Sequence, residues 1–220
     1  MDAHQALVHS WIAAENRMAA YVKERGSWRD LVTENPKASK TDIVDAGYYQ
    51  NLHEQNVHYQ TNNWLVPFAD FLAAQPIKSL CELGTGNGRF ARQMSEHLEQ
   101  IYALDWARSP ALEGLPNNVK FIQQNLTGGS FPNADLICSA DVLEHFSPDG
   151  VESIITRAAK ASPKQFHVVA CYDDGHSHFT VMSPAAWLCL FQIIDPGFRI
   201  HSLEARRNDP RQIVCSITNL

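Results

Sequence analysis

Apolar residues recur at helical spacing near the start of the chain. Leu7, Val8, Trp11, Ile12, Met18, Tyr21 and Val22 are separated by polar residues, and Gly26 ends the run. The pattern predicts a helix over residues 2–24. The stretch Glu34-Asn35-Pro36-Lys37-Ala38-Ser39-Lys40 is polar and broken by proline, which predicts a loop. Residues 46–75 read as helix again, in two pieces, with Tyr48, Tyr49, Tyr59 and Trp64 ahead of Phe68, Phe71 and Leu72, closed by Pro76.

Beyond Pro76 short apolar runs alternate with amphipathic segments, the order of βαβ units. Strands are expected at residues 77–83, 100–104, 119–122, 134–139, 165–171, 199–203 and 212–217. Helices are expected at 88–97, 107–113, 149–161 and 183–193. This order predicts an α/β fold with a Rossmann-like, seven-stranded, mostly parallel sheet covered by helices on both faces. An N-terminal helical extension precedes it. We divide the chain into a helical cap or lid over residues 1–60 and a main domain over 61–220. The extension is left open between a lid, an arm of a homodimer and part of the substrate pocket.

Composition narrows the function classes. Of 220 residues 45% are hydrophobic, enough for a core without staples. Lys and Arg number 18 against 24 Asp and Glu, a net charge of −6, which argues against nucleic acid as a partner. Cys81, Cys138, Cys171, Cys189 and Cys215 are odd in number, without a CxxC pair, and read as reduced core residues. No secretory layout opens the chain and no run approaches the roughly 18 apolar residues of a membrane span, so a soluble, cytoplasmic protein is expected.

The sharpest local signal is Ser79-Leu80-Cys81-Glu82-Leu83-Gly84-Thr85-Gly86-Asn87-Gly88-Arg89-Phe90, an apolar strand, an acid and three glycines leading into a helix. Glycine is needed where backbone turns sharply and a ligand approaches with no Cβ between. The dinucleotide fingerprint is G-x-G-x-x-G, with pyrophosphate on the helix N-terminus. Here the third glycine comes one residue early, and Glu82 precedes the loop. A carboxylate there suits a ligand carrying a positive amino group, which disfavours an NAD-dependent enzyme.

Glu82-Leu83-Gly84-Thr85-Gly86-Asn87-Gly88 resembles the first motif of class I S-adenosylmethionine-dependent methyltransferases. The resemblance covers residues 76–217. It implies S-adenosylmethionine as cofactor, held by Glu82, Gly84, Thr85, Gly86 and Gly88. Asp105 stands 21 residues after Gly84, where the family keeps an acid that accepts both ribose hydroxyls. Trp106 is placed to stack on the adenine. Phe121-Ile122-Gln123-Gln124-Asn125-Leu126 resembles the adenine-reading segment, with Asn125 where the family most often has Asp. Ser139 on the fourth strand completes the expected cofactor set. Tyr59 adds a contact from the segment ahead of the glycine loop.

Asp141-Val142-Leu143-Glu144-His145 resembles the family's D-V-L-E-H segment at the carboxyl ends of the strands. Methyl transfer to a hydroxyl needs an aligned nucleophile and a proton acceptor, and a histidine near neutral pKa is a natural base. His145 and His178, with Glu144, are the expected catalytic residues, and His176 is a lesser candidate. The histidine loop with the following Ser183-Pro184 and Trp187-Leu188 also resembles methyltransferases of bacterial glycan pathways, which implies a sugar or other small-molecule hydroxyl as acceptor. A metabolite N- or C-methyltransferase and a non-catalytic binding protein of the same fold are the alternatives. A second resemblance is to small-RNA 3′-terminal ribose 2′-O-methyltransferases. Their divalent-metal ligands fall in the order of Asp141, Glu144, His145 and His178, with Glu in the place of Asp141.

Overall fold

The computed structural model describes residues 2–26, 28–33 and 45–220. The loop expected at 34–40 lies outside them. Seven strands form one sheet in the order β3-β2-β1-β4-β5-β7-β6, with β1 (Ser79–Leu83), β2 (Gln100–Asp105), β3 (Val119–Gln123), β4 (Leu136–Ala140), β5 (Lys164–Ala170), β6 (Arg199–Ala205) and β7 (Ile213–Thr218). All seven expected strands are present, with ends displaced by up to two residues. The helices are α1 (Ala3–Arg25), α2 (Ala46–Gln55), α3 (Val57–Thr61), α4 (Ala69–Ala73), α5 (Arg89–Met94), α6 (Pro148–Ala161) and α7 (Pro184–Ile194).

By its internal contacts the chain divides into two units. One comprises Asp42–Val142 and Arg157–Gln165, the other Met1–Thr41, Leu143–Thr156 and Phe166–Leu220. In the first unit β3, β2, β1 and β4 pair in parallel, with Leu83 opposite Leu104 and Ser139. Strand β1 is buried over Leu80–Leu83, as an apolar run in a two-side-covered parallel sheet must be. Leu80, Leu83, Phe90, Met94, Ile101, Leu104 and Ile137 fill this core.

In the second unit β7 lies antiparallel between β5 and β6. Helix α7 is buried from Pro184 to Phe191, so it reads as hydrophobic all round. Ser183 caps it by accepting from the Ala186 amide, and Glu15 of α1 accepts from the Ala185 amide. Asp2 and Gln5 form a reciprocal capping box at the start of α1. Leu7, Met18 and Tyr21, which the periodicity assigns to a core-facing stripe, are exposed, and Ala19 is the residue of α1 that is fully buried.

The stretch 46–75 breaks into more pieces than the two expected: α2, α3, a single 3₁₀ turn at Val66–Phe68, and α4. Asp45 caps α2 and Asn56 caps α3, each with its side-chain oxygen on a first-turn amide. Asn56 also ends α2, so one polar residue stops one helix and starts the next. The helix expected at 107–113 is a single 3₁₀ turn, Pro110–Leu112. All five cysteines are free thiols, and four are buried. Among the described residues no helix is long and apolar enough to cross a membrane.

Candidate active site

The glycine loop joins β1 to α5, and each of its three glycines has positive φ: 72° at Gly84, 55° at Gly86 and 71° at Gly88. A Cβ on Gly84 would meet Val142 Cγ2 at 2.3 Å, and one on Gly88 would meet Leu112 Cδ2 at 2.6 Å. Both positions are glycine for backbone conformation and for packing. Gly86 differs, because a Cβ there would meet only His53 Cε1, at 3.8 Å. Its side stays open, a cradle that a side chain would fill.

Three polar groups surround this loop. Glu82 is fully buried and accepts the Thr85 hydroxyl at 2.6 Å and the Asn63 amide at 3.4 Å. Burial pushes its carboxyl up to about 8 against those two hydrogen bonds, and the nearby Asp105 adds to the rise. Asp105, at the end of β2, accepts the Gly86 amide on Oδ2 at 2.8 Å and the Ala107 amide on Oδ1 at 3.0 Å. Burial raises its pKa, and the same two amides oppose the rise. The Trp106 amide also lowers it, and the carboxylate keeps remaining acceptor capacity. Asn87 donates to the carbonyls of Tyr59 and Asn62, tying the glycine loop to the end of α3.

These residues fit a ligand with an ammonium group and a pair of hydroxyls. A buried acid whose ionised form is penalised calls for a cation, Asp105 has capacity for hydroxyl donors, and Gly86 leaves room. The Tyr59 ring lies edge-on to His53, 5.6 Å between centroids. Trp106 is half-buried and faces Tyr49 at 6.4 Å. Thr85 and Ser139 are buried in the loop and on β4. Leu126 is buried and its carbonyl accepts from Arg157. Asn125 is exposed, and its Oδ1 is engaged by the Thr127 amide and hydroxyl, so its acceptor already serves a turn.

A second polar centre lies in the other unit. Glu144 is fully buried, and its Oε1 accepts the Ala170 amide at 3.0 Å. The Glu144 carbonyl accepts the amides of Phe179 and Thr180, which brings the histidine loop to it. His145 and His178 stand edge to face, 4.9 Å between ring centroids. His145 Nδ1 bonds the Ser177 carbonyl at 3.1 Å and His178 Nδ1 bonds the Tyr172 carbonyl at 2.6 Å. A carbonyl only accepts, so Nδ1 donates in both rings.

Asp174 organises that loop. Its Oδ1 accepts the amides of His176, Ser177 and His178, and its Oδ2 accepts the Ser177 hydroxyl. Burial alone would raise its pKa, but the Ser177 hydroxyl and the loop amides, with His178, hold it well below the usual carboxylate range. One donor atom each from Glu144, His145 and His178 lies within 4.8 Å of the others. Asp141, the first residue of the expected ligand order, is not in this group. It adopts a left-handed backbone, φ 53°. His176 is exposed.

Three features escaped sequence reasoning. His53 is the one buried residue of α2. Arg92 donates to the carbonyls of Ala111, Glu113 and Gly114 and holds the 3₁₀ turn after β2. Arg206 is buried. Asn63 and Asn87 gave a weaker signal, since Asn87 sits inside the glycine motif.

The methyltransferase domain family matches residues 81–162. No curated protein sequence matches the chain. Among solved structures the chain is similar to the Burkholderia thailandensis 1,6-didemethyltoxoflavin N1-methyltransferase bound to its substrate and S-adenosylhomocysteine, at 15% identity and a TM-score of 0.61, over 78% of this chain and 85% of that one. It is similar to the S-adenosylhomocysteine complex of DhpI, at 20% identity and a TM-score of 0.57, over 79% and 94%. Human N-acetylserotonin methyltransferase with S-adenosylmethionine matches at 14% identity and a TM-score of 0.56, over 84% of this chain and 62% of that one. Residues 81–162 thus match a methyltransferase domain family, and the chain shares the fold of these solved methyltransferases.

Proposed function

We propose that the chain O-methylates a small molecule, a sugar hydroxyl first among the candidates, using S-adenosylmethionine. The observation that carries this reading is the buried pair of acids around the glycine loop: Glu82 on Thr85 and Asn63, and Asp105 on Gly86 and Ala107. Bound S-adenosylmethionine supplies an electrophilic methyl group on a sulfonium. Glu82 would take its ammonium group, Asp105 its ribose hydroxyls, and Trp106 with Leu126 the adenine.

The acceptor's proton is assigned to His145 or His178. With Nδ1 donating to a backbone carbonyl, Nε2 is the ring nitrogen that would take the proton. Glu144, held by the Ala170 amide, adds negative charge that stabilises the imidazolium once formed. The glycan acceptor rests on the resemblance of the histidine loop and of Ser183-Pro184 with Trp187-Leu188. Activity against a panel of sugar and phenol hydroxyls, with His145→Ala and His178→Gln, tests it. A loss of a hundredfold or more in kcat supports the base, and unchanged turnover on an amine acceptor favours N-methylation.

A second reading has one observation in its favour, the convergence of Glu144, His145 and His178. Two imidazoles and a carboxylate suit a borderline ion such as Mn²⁺, Fe²⁺, Co²⁺ or Zn²⁺, and backbone carbonyls on Nδ1 are the usual outer partners of ligating histidines. Ligands of one ion lie roughly 3–4 Å apart, so the group would close by about 1 Å. Titration of the chelator-treated protein with Co²⁺, followed by its visible absorption, separates this reading from a metal-free base.

A further inference from the structure

We infer that His53 is a cofactor-binding residue that hydrogen-bonds the ribose hydroxyls beside Asp105 and makes the site discriminate ribose from deoxyribose. The inference rests on the proposed methyltransferase reading and adds to it a ligand on α2.

Helix α2 buries a histidine in place of its apolar residues, leaving His53 only 3% exposed. Its Nδ1 is buried with no hydrogen-bond partner. A buried ring nitrogen left unpaired is uncommon, and it marks a side chain held there for a contact other than packing. Its Nε2 lies 4.0 Å from Asp105 Oδ1, both side chains being nearly inaccessible. That gap is beyond the roughly 3.2 Å reach of a direct hydrogen bond. One oxygen bonded to both atoms at about 2.8 Å, at an angle between about 90° and 110°, spans about 4.0–4.6 Å. The spacing is that of a bridging hydroxyl.

The surroundings hold both partners in place. Gly86 and Ala107 fix the Asp105 carboxylate, the Tyr59 ring abuts the imidazole, and Gln60 Nε2 donates to the His53 carbonyl. Gly86, with no Cβ, leaves the space beneath the imidazole open. Burial keeps the ring neutral, so it offers one N–H and one lone pair. A ribose hydroxyl set between His53 and Asp105 accepts from the Nε2–H and donates to Asp105 Oδ1.

The test is calorimetric titration of wild type, His53→Ala and His53→Gln with S-adenosylhomocysteine and with its analogue lacking the ribose 2′-hydroxyl. His53→Ala is expected to weaken S-adenosylhomocysteine about tenfold, the size of one hydrogen bond, while leaving the already weaker deoxy analogue unchanged. His53→Gln, which keeps a donor and an acceptor, is expected to recover part of the loss. Equal or tighter binding of S-adenosylhomocysteine by His53→Ala would overturn the inference, as would an equal loss for both ligands. No binding by the wild type would instead overturn the methyltransferase reading beneath it.

Discussion

Thr85 donates its hydroxyl to Glu82 at 2.6 Å inside a core that water does not reach, so the acid ahead of the glycine loop is held there at a cost to the fold. Glu82 has a folded pKa of about 8 against an ordinary 4.5. A raised acid contributes its stability in full below the unfolded value and loses it as pH rises through the folded one. In the absence of cofactor, Glu82→Gln is therefore expected to gain on wild type in urea midpoint from about pH 5 to about pH 9. The same variant is expected to bind S-adenosylhomocysteine more weakly. A pH-independent difference between the two proteins would refute the assignment of this carboxyl.

Gly84 faces Val142 so closely that a methyl group cannot be placed between them. Gly84→Ala is expected to destabilise the fold by about 3 kcal/mol, combining a left-handed alanine with overpacking. Adding Val142→Ala should return only the overpacking part, because the backbone conformation remains. Full recovery in thermal melts would show that φ carries none of the cost.

Asp174 acts on the histidine loop through three amides and one hydroxyl. Asp174→Asn is expected to cost about 2 kcal/mol near neutral pH. A depressed acid gives stability present above its unfolded pKa and lost as pH falls through its folded one. The gap between wild type and Asp174→Asn should therefore be constant above about pH 4 and shrink in more acidic solution. Hydrogen exchange of the Ser177 and His178 amides should rise in the variant. Unchanged exchange would remove Asp174 from its place as organiser.

His145 and Glu144 separate a chemical from a structural role. His145 is half-buried, whereas Glu144 is fully buried and anchors the Ala170 amide. His145→Ala is expected to leave the melting temperature within a few degrees of wild type, roughly the effect of 1 kcal/mol or less, and to reduce kcat. Glu144→Ala is expected to lower both, since it strands a buried amide. The reverse pattern, a large stability loss with His145→Ala at full kcat, would place His145 in packing.

The parts of the fold that the sequence disclosed are those fixed by local chemistry. Seven apolar runs became seven strands of one sheet, and the three glycines mark three positive-φ turns. Asp105 was legible as the acid that ends β2, a position set by the strand that carries it. The breaks within 46–75 were less legible, since Asn56 ends one helix and opens another through a side-chain bond that periodicity does not see. His53 was illegible, because its burial is decided by β2 and the glycine loop rather than by neighbours in sequence. Leu7 and Met18 misled for the converse reason: helical spacing predicts a stripe, but not that α1 meets its neighbours through Ala19.

The central claim, that the Glu82–Asp105 site holds an adenosyl sulfonium cofactor, is tested most directly by calorimetric titration with S-adenosylhomocysteine. The wild type is expected to bind one equivalent, and Asp105→Ala to bind at least tenfold more weakly, the loss of a charge-assisted hydrogen bond. Absence of saturable binding in the wild type, or equal binding by both proteins, would contradict the account.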